Sequence, residues 1–172
     1  MPHVFEPAAS GRSRCRGCGR ALEKGEVRFG EHLPNPFADG TEMTLWFHPM
    51  CAAYKRPEAI LEALDAAPAG DREALEKTAR ASLAQQRLPR VDGIERARGQ
   101  ATCRQCREPI QRGEWRIKLV FFEEGRFNPS GFIHLSCRNA YFEGSDVAGR
   151  ALHFSPDLTE AERDELATRL AP

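Results

Sequence analysis

Alternation of apolar and polar residues predicts two β-strands, one in each half of the chain. Residues 26–29 and 114–122 both alternate in this way. In the second strand three apolar residues share one face: Trp115, Ile117 and Leu119. The cations Arg116 and Lys118 share the opposite face. Both cations are therefore predicted to point away from the core.

Turn-forming residues follow each strand. They are Pro34-Asn35-Pro36 with Asp39-Gly40 in the first half and Asn128-Pro129-Ser130-Gly131 in the second. The apolar run-ins Trp46-Phe47 and Phe132-Ile133 come next, and each is followed by a histidine. We expect each run-in to place its histidine beside a small core.

Helical patterns follow these histidines. Pro57 is predicted to begin a short helix that ends near Leu64. Asp71 is predicted to cap a longer helix with an apolar stripe of Leu75, Ala79 and Leu83. Near the end of the chain, Thr159 and Glu162 form a capping-box pattern, which precedes the apolar pair Leu166 and Leu170.

The two halves are copies of one another. The segment Lys24-Gly25-Glu26-Val27-Arg28-Phe29 aligns with Arg112-Gly113-Glu114-Trp115-Arg116-Ile117 at an offset of 88 residues, which falls to 86 later in the copy. We predict a tandem duplication with domains at 1–92 and 93–172. The predicted fold class is α+β, with two small domains in tandem. Each has a small antiparallel sheet and C-terminal helices.

The six cysteines support this division. In each half, 29 or 27 intervening residues separate a Cys-x2-Cys pair from a His-x2-Cys pair, so each half holds one Cys3His set. The sets are Cys15, Cys18, His48, Cys51 and Cys103, Cys106, His134, Cys137. A two-residue spacer lets a tight turn place both thiolates on one tetrahedral ion. We therefore predict two structural Zn²⁺ ions per chain, so that each of the two small domains is a zinc-binding domain with one structural Cys3His site.

Two other interpretations of the cysteines are weaker. A disulfide framework is typical of secreted proteins, and it explains neither histidine. A zinc-dependent nuclease would need an open coordination position, whereas four protein ligands leave none. We expect the protein not to be an enzyme.

Charge is distributed unevenly along a chain whose net charge is zero, with 25 basic and 25 acidic residues. The net charge is +2 over residues 1–57, −2 over 58–92, +4 over 93–142 and −4 over 143–172. The positive charge thus lies in the cysteine-containing segments, where it could attract phosphate if one face collects it. This composition excludes a polybasic protein and an acidic disordered tail.

No apolar run is long enough to cross a membrane, and the N-terminal residues lack the pattern of a signal peptide. We expect an intracellular monomer without membrane contact. The expected location is either a bacterial cytoplasm or nucleoid, or a eukaryotic nucleus.

Several motifs together resemble the PARP-type zinc finger, which occurs as a tandem pair in poly(ADP-ribose) polymerase. They are Ser10-Gly11-Arg12 before Cys15, Gly25-Glu26-Val27-Arg28, and Trp46-Phe47-His48 before Cys51. Phe5-Glu6 and the closing helix also fit, so the resemblance covers nearly the whole chain. It implies a sensor of DNA breaks, and a chain of 172 residues leaves no room for the catalytic domain.

The resemblance implies specific DNA contacts in the first copy. Arg12 and Arg28 match positions that contact the DNA backbone. Phe37 and Met43 match the pair that stacks on an exposed base pair. An insertion in this loop leaves Thr44 and Leu45 as alternatives to Met43, and Phe37 could instead be a core residue beneath its loop.

The second copy departs further from the family pattern. Gln100 replaces the lead-in arginine, so Arg98 is the substitute. Arg116 matches the strand arginine, and Lys118 lies on the same strand face. Phe127 and Phe132 are the candidates for base stacking.

These features lead to two hypotheses. The first is a non-catalytic protein that recognises nicks, gaps or ends in DNA and passes them to a repair enzyme acting in trans. The second is a zinc-stabilised protein-interaction module, which would not need Arg28 or Phe37 to be exposed.

Overall fold

The computed structural model describes residues 1–85, 90–143 and 147–172. The chain divides into two compact units, Met1–Gln86 with Glu123–Phe127, and Arg87–Phe122 with Asn128–Pro172. The predicted boundary between residues 92 and 93 stays a prediction. Within the described ranges, no helix has the length and apolar character that a membrane span requires.

The first unit contains an antiparallel sheet of three strands. In order across the sheet they are β1 (Val4–Pro7), β2 (Val27–Pro34) and β3 (Glu42–Phe47). Phe5 pairs with Phe29, and Phe29 pairs with Phe47. The rings of Phe29 and Phe47 have no solvent exposure and lie 6.4 Å apart between centroids. This aromatic row is the core against which the sheet packs.

Three helices follow the sheet in the first unit. They are α1 (Pro49–Lys55), α2 (Pro57–Glu62) and α3 (Arg72–Ala84), with a 3-10 turn at Leu64–Ala66 between the last two. The predicted helix start at Pro57 is confirmed, because proline at the first position has the required φ and lacks only an N–H that has no helical partner. Leu75 and Ala79 of α3 are buried, and α3 packs on α1 and α2.

The prediction that Asp71 caps α3 through its side chain is wrong. Asp71 occupies the N-cap position, but it has a helical conformation (φ −104°, ψ −15°) and its side chain makes no capping hydrogen bond. A capping residue needs an extended backbone to bring its side chain to the free N–H groups. Here the turn that begins at Pro68 runs into the helix, since the Pro68 carbonyl accepts from the N–H groups of both Asp71 and Arg72.

The second unit also has an antiparallel sheet. Its strands, in order across the sheet, are β4 (Arg90–Arg96), β7 (Trp115–Glu123) and β8 (Arg126–His134). A separate two-stranded ribbon joins β5 (Ala101–Thr102) to β6 (Pro109–Ile110). Pairing of β4 with β7 shifts between Val91 and Gly93, and Gly93 has a φ of 147°. A Cβ atom there would lie 2.9 Å from the Phe154 carbonyl oxygen, so only glycine fits.

The turn predicted at Asn128-Pro129-Ser130-Gly131 is wrong, because those residues belong to β8. The chain reverses instead at Glu124 and Gly125, both of which have positive φ (50° and 74°). Two such residues make the tight turn whose twist matches the flanking strands. Pro129 is tolerated because β8 is the outer strand of its sheet, where a missing N–H costs little.

Helices close the second unit as well. They are α4 (Arg138–Phe142), α5 (Val147–His153) and α6 (Glu160–Arg169). The predicted capping box is confirmed: the Thr159 hydroxyl accepts from the Glu162 N–H at 3.2 Å, and the Glu162 carboxylate accepts from the Thr159 N–H at 2.9 Å. Leu166 and Leu170 are buried in the core of this unit. The α+β class, with small antiparallel sheets around two Cys3His clusters, is confirmed.

Candidate zinc centres and nucleic-acid interface

The first Cys3His set comes together at one end of the first sheet. Cys15 and Cys18 lie in a tight turn between β1 and β2, and His48 and Cys51 lie where β3 passes into α1. Within the turn, a Cβ atom on Gly17 would lie 2.8 Å from the Cβ of Cys51. A larger residue would therefore push the two halves of the cluster apart.

The distances in this cluster fit a tetrahedral ion. The four ligand atoms lie within 4.8 Å of one another. His48 Nδ1 is 3.4 Å from Cys18 Sγ and 3.9 Å from Cys51 Sγ. Zinc–sulfur and zinc–nitrogen bonds of ordinary length at a tetrahedral angle give about 3.6 Å for this separation. The backbone N–H of His48 also donates to Cys15 Sγ at 3.3 Å.

The second cluster repeats this geometry. Cys103, Cys106, His134 and Cys137 bring their ligand atoms within 4.8 Å of one another. His134 Nδ1 lies 3.4 Å from Cys106 Sγ and 3.9 Å from Cys137 Sγ. The His134 N–H points to Cys103 Sγ at 3.5 Å, as its counterpart does in the first unit.

The contacts of Nε2, the ring nitrogen farther from the cysteines, indicate which nitrogen can bind the metal. His134 Nε2 lies 3.0 Å from the Pro109 carbonyl oxygen, which can only accept, so Nε2 carries the proton. Nδ1 then presents its lone pair to the cysteines, as a metal ligand must. In the first unit Nε2 of His48 lies 3.7 Å from a carboxylate oxygen of Glu26.

Crowding of the ligands also shifts their protonation. Hydrogen bonding with Cys15 and Cys18 raises the pKa of His48 to about 10. Interaction with the same two cysteines raises the pKa of Cys51. In the second unit, burial raises the pKa of Cys137 to about 12, with a further contribution from Cys103. Binding of a divalent cation displaces the protons that such groups retain.

The residues present therefore fit zinc. Each cluster supplies four nitrogen and sulfur donors, a closed tetrahedral set that structural Zn²⁺ prefers. None of the six cysteines forms a disulfide, which disfavours the disulfide alternative. The two clusters fit two structural zinc sites, one in each unit.

The strand arginine of the first unit is held between two partners. Arg28 is 8% exposed, and its Nη2 donates to Glu6 Oε1 across the sheet at 2.7 Å. Its guanidinium carbon lies 3.6 Å from the centroid of the Trp46 ring. Ser13 Oγ accepts from Nη1 at 3.1 Å, and Nε is buried without a hydrogen-bond partner. Arg28 is therefore neutralised and largely covered.

Arg116 has the same environment in the second unit. It is 7% exposed, and Glu95 accepts from its Nε at 3.1 Å and from its Nη2 at 2.8 Å. Its guanidinium carbon lies 3.6 Å from the centroid of the Phe132 ring. Arg116 lies on the strand face opposite Trp115, Ile117 and Leu119, as predicted, but Phe132 covers it there, so that Arg116 is buried. Lys118, on the same face, is half-buried.

Phe37 lies at an exposed loop tip. Its side chain is 64% exposed, so it is not a core residue beneath its loop. Met43, on β3 of the same hairpin, is half-buried. Leu45 is 2% exposed, which removes it as a stacking alternative, and Thr44 is half-buried and bonded to His32.

The remaining predicted contacts are distributed over both units. Arg12 and Arg98 are exposed, and Phe127 and Phe132 are half-buried. The roles of these residues in DNA binding stay predictions.

Sequence reasoning missed the two glutamates that pair with the strand arginines. Glu6 and Glu95 lie on β1 and β4, and they are direct cross-strand neighbours of Arg28 and Arg116. The internal repeat was the available signal, since each glutamate stands in the first strand of its copy. The repeat could reveal both glutamates only if β4 was also predicted, and no alternation pattern had predicted β4.

Comparison with known proteins supports the zinc assignment. Residues 6–86 match the family described as "Poly(ADP-ribose) polymerase and DNA-Ligase Zn-finger region". A poly [ADP-ribose] polymerase of Sarcophaga peregrina is 27% identical over 143 residues, which cover 72% of this chain and 14% of that protein. Poly [ADP-ribose] polymerase 1 of Oryza sativa subsp. japonica is 27% identical over 142 residues, 76% of this chain and 14% of that protein.

A shorter match is closer in identity. Poly [ADP-ribose] polymerase 1 of Caenorhabditis elegans is 37% identical over 51 residues, which are 30% of this chain and 5% of that protein. The chain thus spans a small part of the relatives that it matches, 14% in the longer alignments. The segment 6–86, which contains the first Cys3His cluster, is thus similar to the zinc-finger region of poly(ADP-ribose) polymerases and DNA ligases.

Proposed function

We propose that the protein is a non-catalytic, zinc-dependent DNA-binding protein that recognises strand breaks by their structure. The exposed Phe37 is the observation that carries this proposal. An intact duplex hides the faces of its base pairs, whereas a nick or end exposes one. An aromatic ring laid on such a face gains about 1–3 kcal/mol from stacking.

Hydrogen bonds within the loop that carries Phe37 hold the loop in an ordered conformation. The Asn35 N–H donates to the Thr41 carbonyl at 2.9 Å and closes the loop. Inside it, the Phe37 N–H donates to Asn35 Oδ1 at 3.0 Å, and Thr41 Oγ1 donates to the Ala38 carbonyl at 2.7 Å. A loop that is already ordered loses less conformational entropy on binding.

Phosphate contacts would come from cations of the same unit. Arg12 is exposed in the turn that precedes the first zinc ligand. Arg28 lies on the outer face of the sheet, where its stack on Trp46 and its pair with Glu6 fix its orientation. Phosphate binding at Arg28 would compete with Glu6, whose side chain is 44% exposed.

The protein-interaction module remains the second candidate, and the strand arginines favour it. Arg28 and Arg116 are both buried and both paired with a glutamate. This arrangement stabilises a sheet whether or not DNA binds, so a module without DNA affinity would contain it too.

The closed coordination sets support a non-catalytic role. Four protein ligands at each ion leave no position for an activated water. We propose that strand-broken DNA is the partner, that the protein binds it as a monomer, and that a repair enzyme acts afterwards in trans.

A competition assay tests the proposal. The zinc-loaded protein would be titrated with nicked, blunt-ended and covalently closed duplexes at two salt concentrations. Break recognition predicts tighter binding to nicked or ended DNA, with binding weakened by salt in proportion to the phosphates contacted. Equal binding to all three duplexes would exclude break recognition, and no binding at low salt would leave the interaction module.

A further inference from the structure

The second unit contains a cleft lined by four arginines that the DNA-contact assignments do not include. They are Arg96, Arg112, Arg138 and Arg169, and they come from the end of β4, the turn before β7, the start of α4 and the end of α6. We call this the arginine cleft. Its volume is about 650 Å³, within the usual range for small-molecule sites.

Two of these arginines are tied together by one carboxylate. Glu165 accepts from Nη2 of Arg96 at 3.2 Å and lies 3.2 Å from Nη2 of Arg169. The indole N–H of Trp115 donates to the same carboxylate at 3.0 Å, and the Arg96 guanidinium stacks on the Trp115 ring at 4.2 Å. Glu165 and Trp115 therefore hold the side chains on this wall of the cleft in place.

Among the residues that the structure describes, the other two arginines have no carboxylate partner. Arg138 is half-buried and donates to the backbone carbonyls of Leu135 at 2.9 Å and Ala171 at 3.3 Å. These bonds fix its orientation without neutralising its charge. Arg112 is exposed and makes no ion pair or side-chain hydrogen bond with the described part of the chain.

The balance of charge in the cleft is positive. The lining contains four arginines and one glutamate, Glu114, and a second glutamate, Glu165, pairs with two of the arginines. Among anions, phosphate matches such a site best, because planar guanidinium groups arriving from several directions can each bond two of its oxygens. A monovalent carboxylate would use fewer of these donors.

We propose that the arginine cleft is a binding site for a phosphomonoester or diphosphate, with Arg112 and Arg138 as its principal charged contacts. Glu165 is a positioning residue that orients Arg96 and Arg169. A terminal phosphate of a nucleic-acid strand and a free diphosphate have the same chemistry here. The proposal does not depend on recognition of DNA breaks, since inorganic pyrophosphate alone can test it.

Calorimetric titration of the full zinc-loaded chain with sodium pyrophosphate, at constant ionic strength, is the test. The wild type is expected to show saturable binding at one site. Arg112→Gln is expected to weaken that binding about tenfold, as the loss of one charged hydrogen-bonding partner implies. Arg138→Gln is expected to do the same.

Arg107→Gln is the matched control, because Arg107 is an exposed arginine of the same unit that does not line the cleft. It should bind pyrophosphate as the wild type does. Arg112 makes no ion pair or side-chain hydrogen bond within the described ranges, so its substitution should leave the zinc content and the melting temperature unchanged. The proposal is overturned if the wild type shows no saturable binding, or if Arg107→Gln weakens binding as much as Arg112→Gln.

A competition experiment distinguishes a strand terminus from a free diphosphate as the ligand. A single-stranded oligonucleotide with a 5′-phosphate that displaces pyrophosphate from the wild type, where its unphosphorylated form does not, identifies a strand terminus as the ligand. Failure of both oligonucleotides to displace bound pyrophosphate identifies a free diphosphate. Displacement by both forms equally would overturn the proposal of a site for terminal phosphates.

Discussion

Arg28 and Trp46 form a stacked pair in which the guanidinium carbon lies 3.6 Å from the ring centroid. The aromatic residue stands two positions before a zinc-ligating histidine. The strand arginine thus packs against the segment that carries the ligand. The second unit has the same relationship between Arg116 and Phe132, also at 3.6 Å.

The glutamates that hold these arginines are expected to differ in their contribution to stability. Glu95 accepts two hydrogen bonds from Arg116, whereas Glu6 accepts one from Arg28 and is more exposed, at 44% against 25%. We expect Glu95→Gln to lower the free energy of unfolding by about 2 kcal/mol and Glu6→Gln by about 1 kcal/mol or less. Denaturant unfolding of the two variants measures the difference, and the opposite order would contradict this account.

Removal of zinc is expected to unfold or loosen both units. Each has a small core, and structural zinc supplies about 10–16 kcal/mol of binding free energy in comparable sites. Circular dichroism and melting curves before and after complete chelation test this, with zinc added back as the control for reversibility. An unchanged spectrum and melting temperature in the metal-free protein would show that the sheets and helices hold without the ion.

Single ligand substitutions should separate the two sites. Cys15 and Cys103 are buried, and each receives a backbone N–H from the ligand histidine of its own cluster. We expect Cys15→Ser and Cys103→Ser each to lower the zinc content from two ions per chain to one, and the double variant to bind none tightly. Metal analysis of the purified variants gives the stoichiometry. Loss of both ions on a single substitution would contradict independent sites.

Phe37 is expected to determine preference for breaks, if the proposed function holds. Phe37→Ala should reduce the affinity for nicked DNA towards that for closed DNA, because the stacking surface is lost. Phe37→Leu, which keeps an apolar surface, should retain part of the preference. Side-by-side titrations of nicked and closed duplex with both variants measure this preference for breaks. Equal preference in the alanine variant and the wild type would assign base stacking to another residue.

The capping box of α6 offers a prediction about stability alone. Thr159→Ala removes the acceptor for the Glu162 N–H and should lower the free energy of unfolding by about 1 kcal/mol. Thr168→Ala is the matched control, because its hydroxyl donates to the Asp164 carbonyl in the exposed last turn of the same helix. That change should stay within about 0.5 kcal/mol of the wild type. Equal losses in the two variants would mean that the cap contributes nothing specific.

Features that depend on short spacings were predictable. Both Cys-x2-Cys and His-x2-Cys pairs meet as expected, because a two-residue spacer restricts the distance between donors whatever surrounds it. The Thr159 capping box was also predictable, because its two partners are only three residues apart. The predicted cap at Asp71 failed because the backbone conformation at that residue is determined by the preceding turn.

Features that depend on partners far apart in the chain were not predictable. Alternation on β7 placed Arg116 and Lys118 on one face, yet whether that face meets solvent depends on Phe132 from another strand. The pairs Glu6–Arg28 and Glu95–Arg116 join strands separated by about twenty residues. Register across a sheet determines such contacts, and the register of β4 includes a bulge at Gly93 that no local pattern specifies.

The amino-acid sequence by itself determined the duplication, the two ligand sets and the metal that they suit, because the chemistry of thiolates and imidazoles at those spacings admits few alternatives. Only the tertiary structure decided which cations are free. It buried Arg28 and Arg116 against carboxylates and aromatic rings, left Phe37 exposed, and gathered four arginines from four elements into one cleft. Charge along a sequence is additive, whereas neutralisation depends on which groups the folded chain brings within a few ångströms of one another.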